Sequence, residues 1–141
     1  MKQYQAFTVL FLRISLASGF LSAVASRFGL WGAKSSGWNH FVMYTGEVNS
    51  FAPKNWVLSL AVISTISELC LGILLLIGFK TSYTAFAAGI LTLLFALAMS
   101  FSFGIKEPFD YSVFAVSASS FLLASVQDYP WSIDLFISKL K

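Results

Sequence analysis

Apolar residues run along this chain in long blocks, without the alternating or three-to-four spacing of a half-buried strand or helix in a water-soluble fold. The first block covers about 6–26 and holds a single charge, Arg13. The second covers about 56–79 and holds a single charge, Glu68. The third, about 81–105, holds none, and the fourth, about 110–127, is shorter. A helix needs about 20 residues, at 1.5 Å each, to cross roughly 30 Å of hydrocarbon. The first three blocks reach that length. The fourth crosses if it tilts little or if the bilayer thins around it. The pattern therefore predicts an all-α fold: a four-helix transmembrane bundle forming one domain over 1–141.

The punctuation agrees with these limits. Pro53, Pro108 and Pro130 each stand just before a helical pattern, where a missing N–H loses nothing. The link "GFKTS" is so short that the second and third spans should be antiparallel neighbours, and "GIKEPFD" is nearly as tight. Asp110 is placed to cap the fourth helix. Two pieces lie outside the spans. In the loop over 27–55, the stretch "WNHFVMYTGEV" sets Trp38, Phe41, Val42, Thr45 and Val48 at helical spacing, predicting a short helix that lies in the interface or caps the bundle. At the end, "PWSIDLFISKLK" over 130–141 puts Ile133, Phe136, Ile137 and Leu140 on one face, predicting an interfacial amphipathic helix.

Composition strengthens the membrane reading. Of the 141 residues, 57% are apolar and 11% charged, against about 25% charged in soluble domains. Mean hydropathy is +0.79. The bilayer is the natural partner. The net charge is +3, yet Arg27, Lys34, Lys54, Lys80 and Lys106 stand singly, as residues at membrane boundaries do. No basic patch suited to nucleic acid appears. Cys70 is the only cysteine, so neither an intramolecular disulfide nor a CxxC centre can form. His40 is the only histidine, too few for a bis-His haem or a zinc triad, and no metal site is expected. The stretch "SAVAS" offers a signal-peptidase-like pattern, but Arg13 breaks the apolar region before it, so the first block reads as a retained span. Positive charges do not orient the bundle: Lys2, Lys80, Lys139 and Lys141 on one side balance Arg27, Lys34, Lys54 and Lys106 on the other.

The chemistry concentrates on the two charges inside spans. Counted from the Gly78 end of its helix, Glu68 lies roughly 15 Å deep; counted from Tyr4, Arg13 lies roughly 12 Å deep. Spans one and two are antiparallel, so both depths run from one membrane face, and a direct Arg13–Glu68 contact is expected. Unpaired charges at such depths are costly. Ala61, Thr65, Glu68 and Gly72 form a small, polar stripe suited to a helix contact, and Ser117, with Ser119 and Ser120, offers hydrogen bonds from span four. Arg13, Glu68, Thr65 and Ser117 are thus the expected intramembrane polar site. It serves either as packing glue or as a pocket for a proton, a quinone head group or a small solute. A second polar group, His40, Lys106, Asp110 and Tyr111, falls at one membrane face, as a solvated boundary or a gate. No nucleophile motif, phosphate loop or paired carboxylates are visible.

The stretches "LRISLASGFLSAVASRFGLWG", "SELCLGILLLIGFKTSYTAFAAG", "IKEPFDYSVF" and "SASSFLLAS" together resemble the DoxX-like integral membrane proteins over most of the chain. That resemblance implies a four-helix protein of the bacterial inner membrane with both termini cytoplasmic. It also implies a role beside a quinone-linked oxidation system, partnered by a membrane or periplasmic redox subunit. The intramembrane Arg and Glu of the family fall on Arg13 and Glu68. The chain has no haem, flavin or dithiol equipment of its own, which argues against independent redox catalysis: no cofactor is evident, a quinone is the possible one, and an accessory subunit is the expected role. A membrane scaffold and a conduit for a proton or small solute are the alternatives.

Overall fold

The computed structural model describes residues 3–140, which are helical or lie in the turns between helices. Lys2 and Lys141, counted above among the flanking charges, lie outside the described residues. Helix α1 spans Gln3–Arg27. A 3-10 turn at Gly32–Lys34 leads to α2, Trp38–Val48, with the bounds expected from its spacing. A second 3-10 turn, Lys54–Trp56, runs into α3, Val57–Ile77. Helix α4 spans Thr81–Phe103, α5 Lys106–Asp110, α6 Val113–Ala124 and α7 Ile133–Ser138. Three of these stretches, Gln3–Arg27, Lys54–Ile77 and Thr81–Phe103, are long and apolar enough to cross a membrane. Their outward faces carry bare apolar side chains such as Phe11, Ile66, Phe86 and Phe101, as suits contact with lipid rather than water.

The fourth block departs from expectation. A single helix over 110–127 does not form. Instead α5 ends at Asp110 and α6 begins at Val113, its 12 residues rising only about 18 Å. Asp110 does not cap α6. Its carboxylate pairs with Lys106 one turn back, and Ser112, in the left-handed region at φ 55°, stands at the cap and redirects the chain. Pro108 lies inside α5, where the first turn needs no N–H from it. The C-terminal helix is likewise shorter than 130–141. Ser132 caps α7 by accepting from Leu135 N at 3.1 Å, and Ile133, Phe136, Ile137 and Leu140 are exposed.

The helices pack as two pairs, α1 with α3 and α4 with α6. Small residues set how close each pair lies. A Cβ on Gly72 of α3 would come within 2.8 Å of Leu21 and 3.3 Å of Phe20 on α1, and one on Gly89 of α4 within 2.7 Å of the Phe121 ring on α6. Near the 78–80 turn the pairs close over Leu75, Ala85, Ala88 and Leu123, all fully buried. At the opposite end α2 enters between α3 and α4, seating Val48 against Ala98 and Met99. Ser102 Oγ ties the two there, donating to Val48 O at 2.6 Å.

Candidate functional site

Glu68 is 3% exposed and forms an ion pair, but not with Arg13. Arg27 Nη2 donates to Glu68 Oε2 at 2.7 Å. Arg27 Nη1 donates to Thr65 Oγ1 at 2.8 Å, and Thr65 Oγ1 in turn donates to Ala61 O, also at 2.8 Å. The Phe41 ring of α2 covers the guanidinium, its centroid 3.6 Å from Cζ, a separation at which cation–π attraction adds to the ion pair. Arg27 is itself 7% exposed. The stripe Ala61, Thr65, Glu68 and Gly72 is the buried face of α3, and it turns its polar members toward the end of α1.

The expected Arg13–Glu68 contact is therefore corrected. Arg13 donates from Nη2 to Trp131 O at 2.7 Å and from Nη1 to Pro130 O at 3.3 Å, and its head lies against Gly78. The reason is register. Gly72 faces Phe20, Gly78 faces Arg13 and Thr65 faces Arg27, so each step along α1 is matched by a step back along α3. Arg13 sits level with the 78–80 turn, roughly 15 Å from the level of Glu68. The first turns of α1 run past that turn, where Phe7 meets Trp131 at 5.3 Å, so Tyr4 does not mark the level from which depth should be counted. Arg27 reaches inward because helical side chains lean toward the N-terminus, down onto the preceding turn.

The ion pair lies in the wall of a cavity of about 1050 Å³. Leu16 and Phe20 of α1 line it toward the closed core, and Phe41, Tyr44, Thr45 and Val48 of α2 line the opposite end. Its sides are Ile63, Ser64 and Glu68 of α3 and the stretch of α4 from Leu91 to Phe101, with Val113 and Val116 of α6. It occupies the half of the bundle remote from the 78–80 turn, where the two helix pairs separate. Ile63 (61% exposed) and Phe101 (82% exposed) line it and also face outward, so it opens sideways between α3 and α4.

Of the six hydroxyls on this wall, those of Ser64, Thr45 and Thr92 are already committed, and those of Ser15, Tyr44 and Tyr111 are not. Ser64 Oγ donates to Ala61 O at 3.1 Å, Thr45 Oγ1 to Phe41 O at 2.8 Å and Thr92 Oγ1 to Ala88 O at 2.8 Å. Glu68 Oε1 accepts no hydrogen bond among the described residues. Burial raises the Tyr44 hydroxyl above its ordinary pKa, with Tyr111, Glu107 and Glu47 adding to the effect.

The remaining expected residues fall elsewhere. Ser117 is buried but donates to Gly89 O at 2.8 Å in the α4–α6 contact, away from the ion pair. Lys106 and Asp110 pair with each other on the surface, and Tyr111 lines the cavity rim. His40 is exposed on α2, with no hydrogen bond or ion pair to that group. No group of three His, Cys, Asp or Glu side chains among the described residues could hold a metal ion. Arg27, read from the sequence as a boundary cation, is the residue that sequence reasoning missed. No family model matches the chain, and no curated protein or solved structure matches it either.

Proposed function

We propose that this chain is a four-helix transmembrane protein of the DoxX-like kind, acting as a small accessory subunit of a quinone-linked membrane redox system. In this reading the cavity receives a lipophilic ligand whose head group meets Arg27 and Glu68. One observation carries it: a mainly apolar space of about 1050 Å³ has a buried, net-neutral ion pair in its wall. Ligand sites are typically apolar clefts of about 300–1,000 Å³ with a few placed polar groups. Contacts that serve packing alone tend to close such space, because unfilled volume forfeits dispersion contacts.

Helices α1, α3 and α4 supply three crossings, and α5 with α6 supplies the fourth as a broken helix. Helices α2 and α7 lie at the two interfaces. The bacterial inner membrane and cytoplasmic termini rest on the family resemblance, since the flanking positive charges balance. A membrane or periplasmic redox subunit would bring the electron carrier, and this chain would hold and orient the ligand.

The test is native mass spectrometry of the protein extracted gently from its own membrane. A bound quinone-class lipid, or a co-purifying redox subunit, is the expected result. A chain carrying only ordinary phospholipid, with no redox partner, would overturn the redox reading and shift the weight to a scaffold or conduit.

A further inference from the structure

The polar atoms of the cavity select a more definite ligand than the redox reading alone requires. The hydroxyls of Ser64, Thr45 and Thr92 donate to helix carbonyls, and a hydroxyl that donates in this way offers only lone pairs to a visitor. Glu68 Oε1 adds an acceptor without a partner among the described residues, while Oε2 is held by Arg27. Ser15, Tyr44, Tyr111 and Arg27 also line the cavity and can donate, so the selection rests on Glu68 Oε1, and a ligand that brings a proton donor fits there. Charge narrows the choice further. The Arg27–Glu68 pair cancels to zero, so a carboxylate or ammonium on the ligand would be an uncompensated charge in apolar surroundings, at high cost. Access narrows it again, because the opening between Ile63 and Phe101 faces the lipid side of α3 and α4.

We infer that the cavity binds a neutral lipophile bearing a hydroxyl group, a phenol or an alcohol, taken sideways from the bilayer, with the hydroxyl donating to Glu68 Oε1. This rests on the reading of the cavity as a ligand site. It also gives that reading a direction: of a quinone and its hydroquinone, the hydroquinone is the better guest at Glu68, since only it can donate to Oε1.

A matched pair of probes tests this without redox chemistry. Para-octylphenol and its methyl ether differ in the donor alone. Their binding to the purified full chain in detergent is compared at equal mole fraction in the micelle, which removes the difference in partitioning. The phenol should bind roughly tenfold or more tightly, the scale of a hydrogen bond to a charged acceptor. In Glu68→Gln the carboxamide can keep its oxygen on Arg27 and turn its N–H₂ toward the ligand, so the preference for the phenol should collapse. Equal binding of both probes to the unaltered chain would overturn the hydroxyl inference and leave the cavity reading standing. Binding of neither probe would overturn both. A full preference retained in a folded Glu68→Gln variant would overturn the assignment of Glu68 as the acceptor. The comparison on the unaltered chain decides the question even if that variant does not fold.

Discussion

Replacing Arg27 by methionine keeps much of the side-chain volume and strands Glu68. The carboxylate stays in a position where it is 3% exposed and loses the partner 2.7 Å away. Removing one member of a buried ion pair costs about 3–5 kcal/mol, because the other charge is left without compensation. Glu68→Leu strands Arg27 in the same way, though the guanidinium keeps Thr65 and the Phe41 ring. The double variant leaves no buried charge and should be close to the unaltered chain, since replacing a buried pair by apolar residues is often neutral or stabilising by about 1–4 kcal/mol. The double-mutant cycle should therefore show a coupling of about 3 kcal/mol or more between positions 27 and 68. The same cycle built on Arg13→Met should be additive within about 0.5 kcal/mol, because Arg13 bonds to Pro130 and Trp131 and sits at the other level of the bundle. The assay is unfolding free energy in mixed micelles at neutral pH. Additivity between 27 and 68, or a comparable coupling between 13 and 68, would refute the register and the pairing drawn from it.

Two further outcomes follow from named contacts. Gly72→Ala puts a methyl 2.8 Å from Leu21 Cγ and 3.3 Å from Phe20 Cβ, an overpacking worth about 1–3 kcal/mol. The thermal midpoint should fall and recover when Leu21→Ala is added; a variant as stable as the parent would show that the α1–α3 approach is looser than described. Tyr44 ionises above its ordinary value in the fold, through burial first and then its negative neighbours. The unfolded chain gives up this proton first, so the contribution is fully present below about pH 10 and is lost as pH rises above it. Stability measured against pH should fall less in Tyr44→Phe than in the parent over that alkaline range, and an equal fall would contradict the assignment.

Much of the fold is legible in the sequence because its largest signals are additive over many residues. Blocks as long as 56–79 or 81–105 leave a helix few alternatives to crossing a bilayer. The stripe Ala61, Thr65, Glu68, Gly72 is legible because small and polar residues stand out among leucines and isoleucines, and it is the buried face of α3. Register is where the reasoning fails. Depth counted from the ends of apolar blocks assumes that every helix begins at the membrane face, and α1 runs past the 78–80 turn. Matching small to large across the contact carries better information. Setting Gly72 against Phe20 brings Arg27 to Thr65 and Glu68 and leaves Arg13 beside Gly78. The break between α5 and α6 is less visible, since it turns on the local pairing of Lys106 with Asp110 and on one left-handed serine. The cavity leaves no mark in the sequence: its size depends on how far two helix pairs separate, a property of the whole bundle.

The two ends of the bundle are fastened by different means, and the difference explains where the cavity lies. At one end a three-residue turn holds α3 to α4. Asp134 reinforces it from outside, accepting from Lys80 N at 2.6 Å and Thr81 N at 2.7 Å, while Arg13 ties α1 to the backbone before α7. At the other end no short turn joins the pairs, and α2 fills part of the gap. The Arg27–Glu68 pair joins α1 to α3, yet it does not stand in the closed core beside Leu75. It stands instead where the pairs have parted, with Phe41 of α2 laid over the guanidinium and Glu68 Oε1 without a hydrogen bond among the described residues. If the cavity holds a ligand as proposed, one that reaches Glu68 would share that space with Phe41, and its occupancy would be coupled to the seating of α2 through the same few side chains.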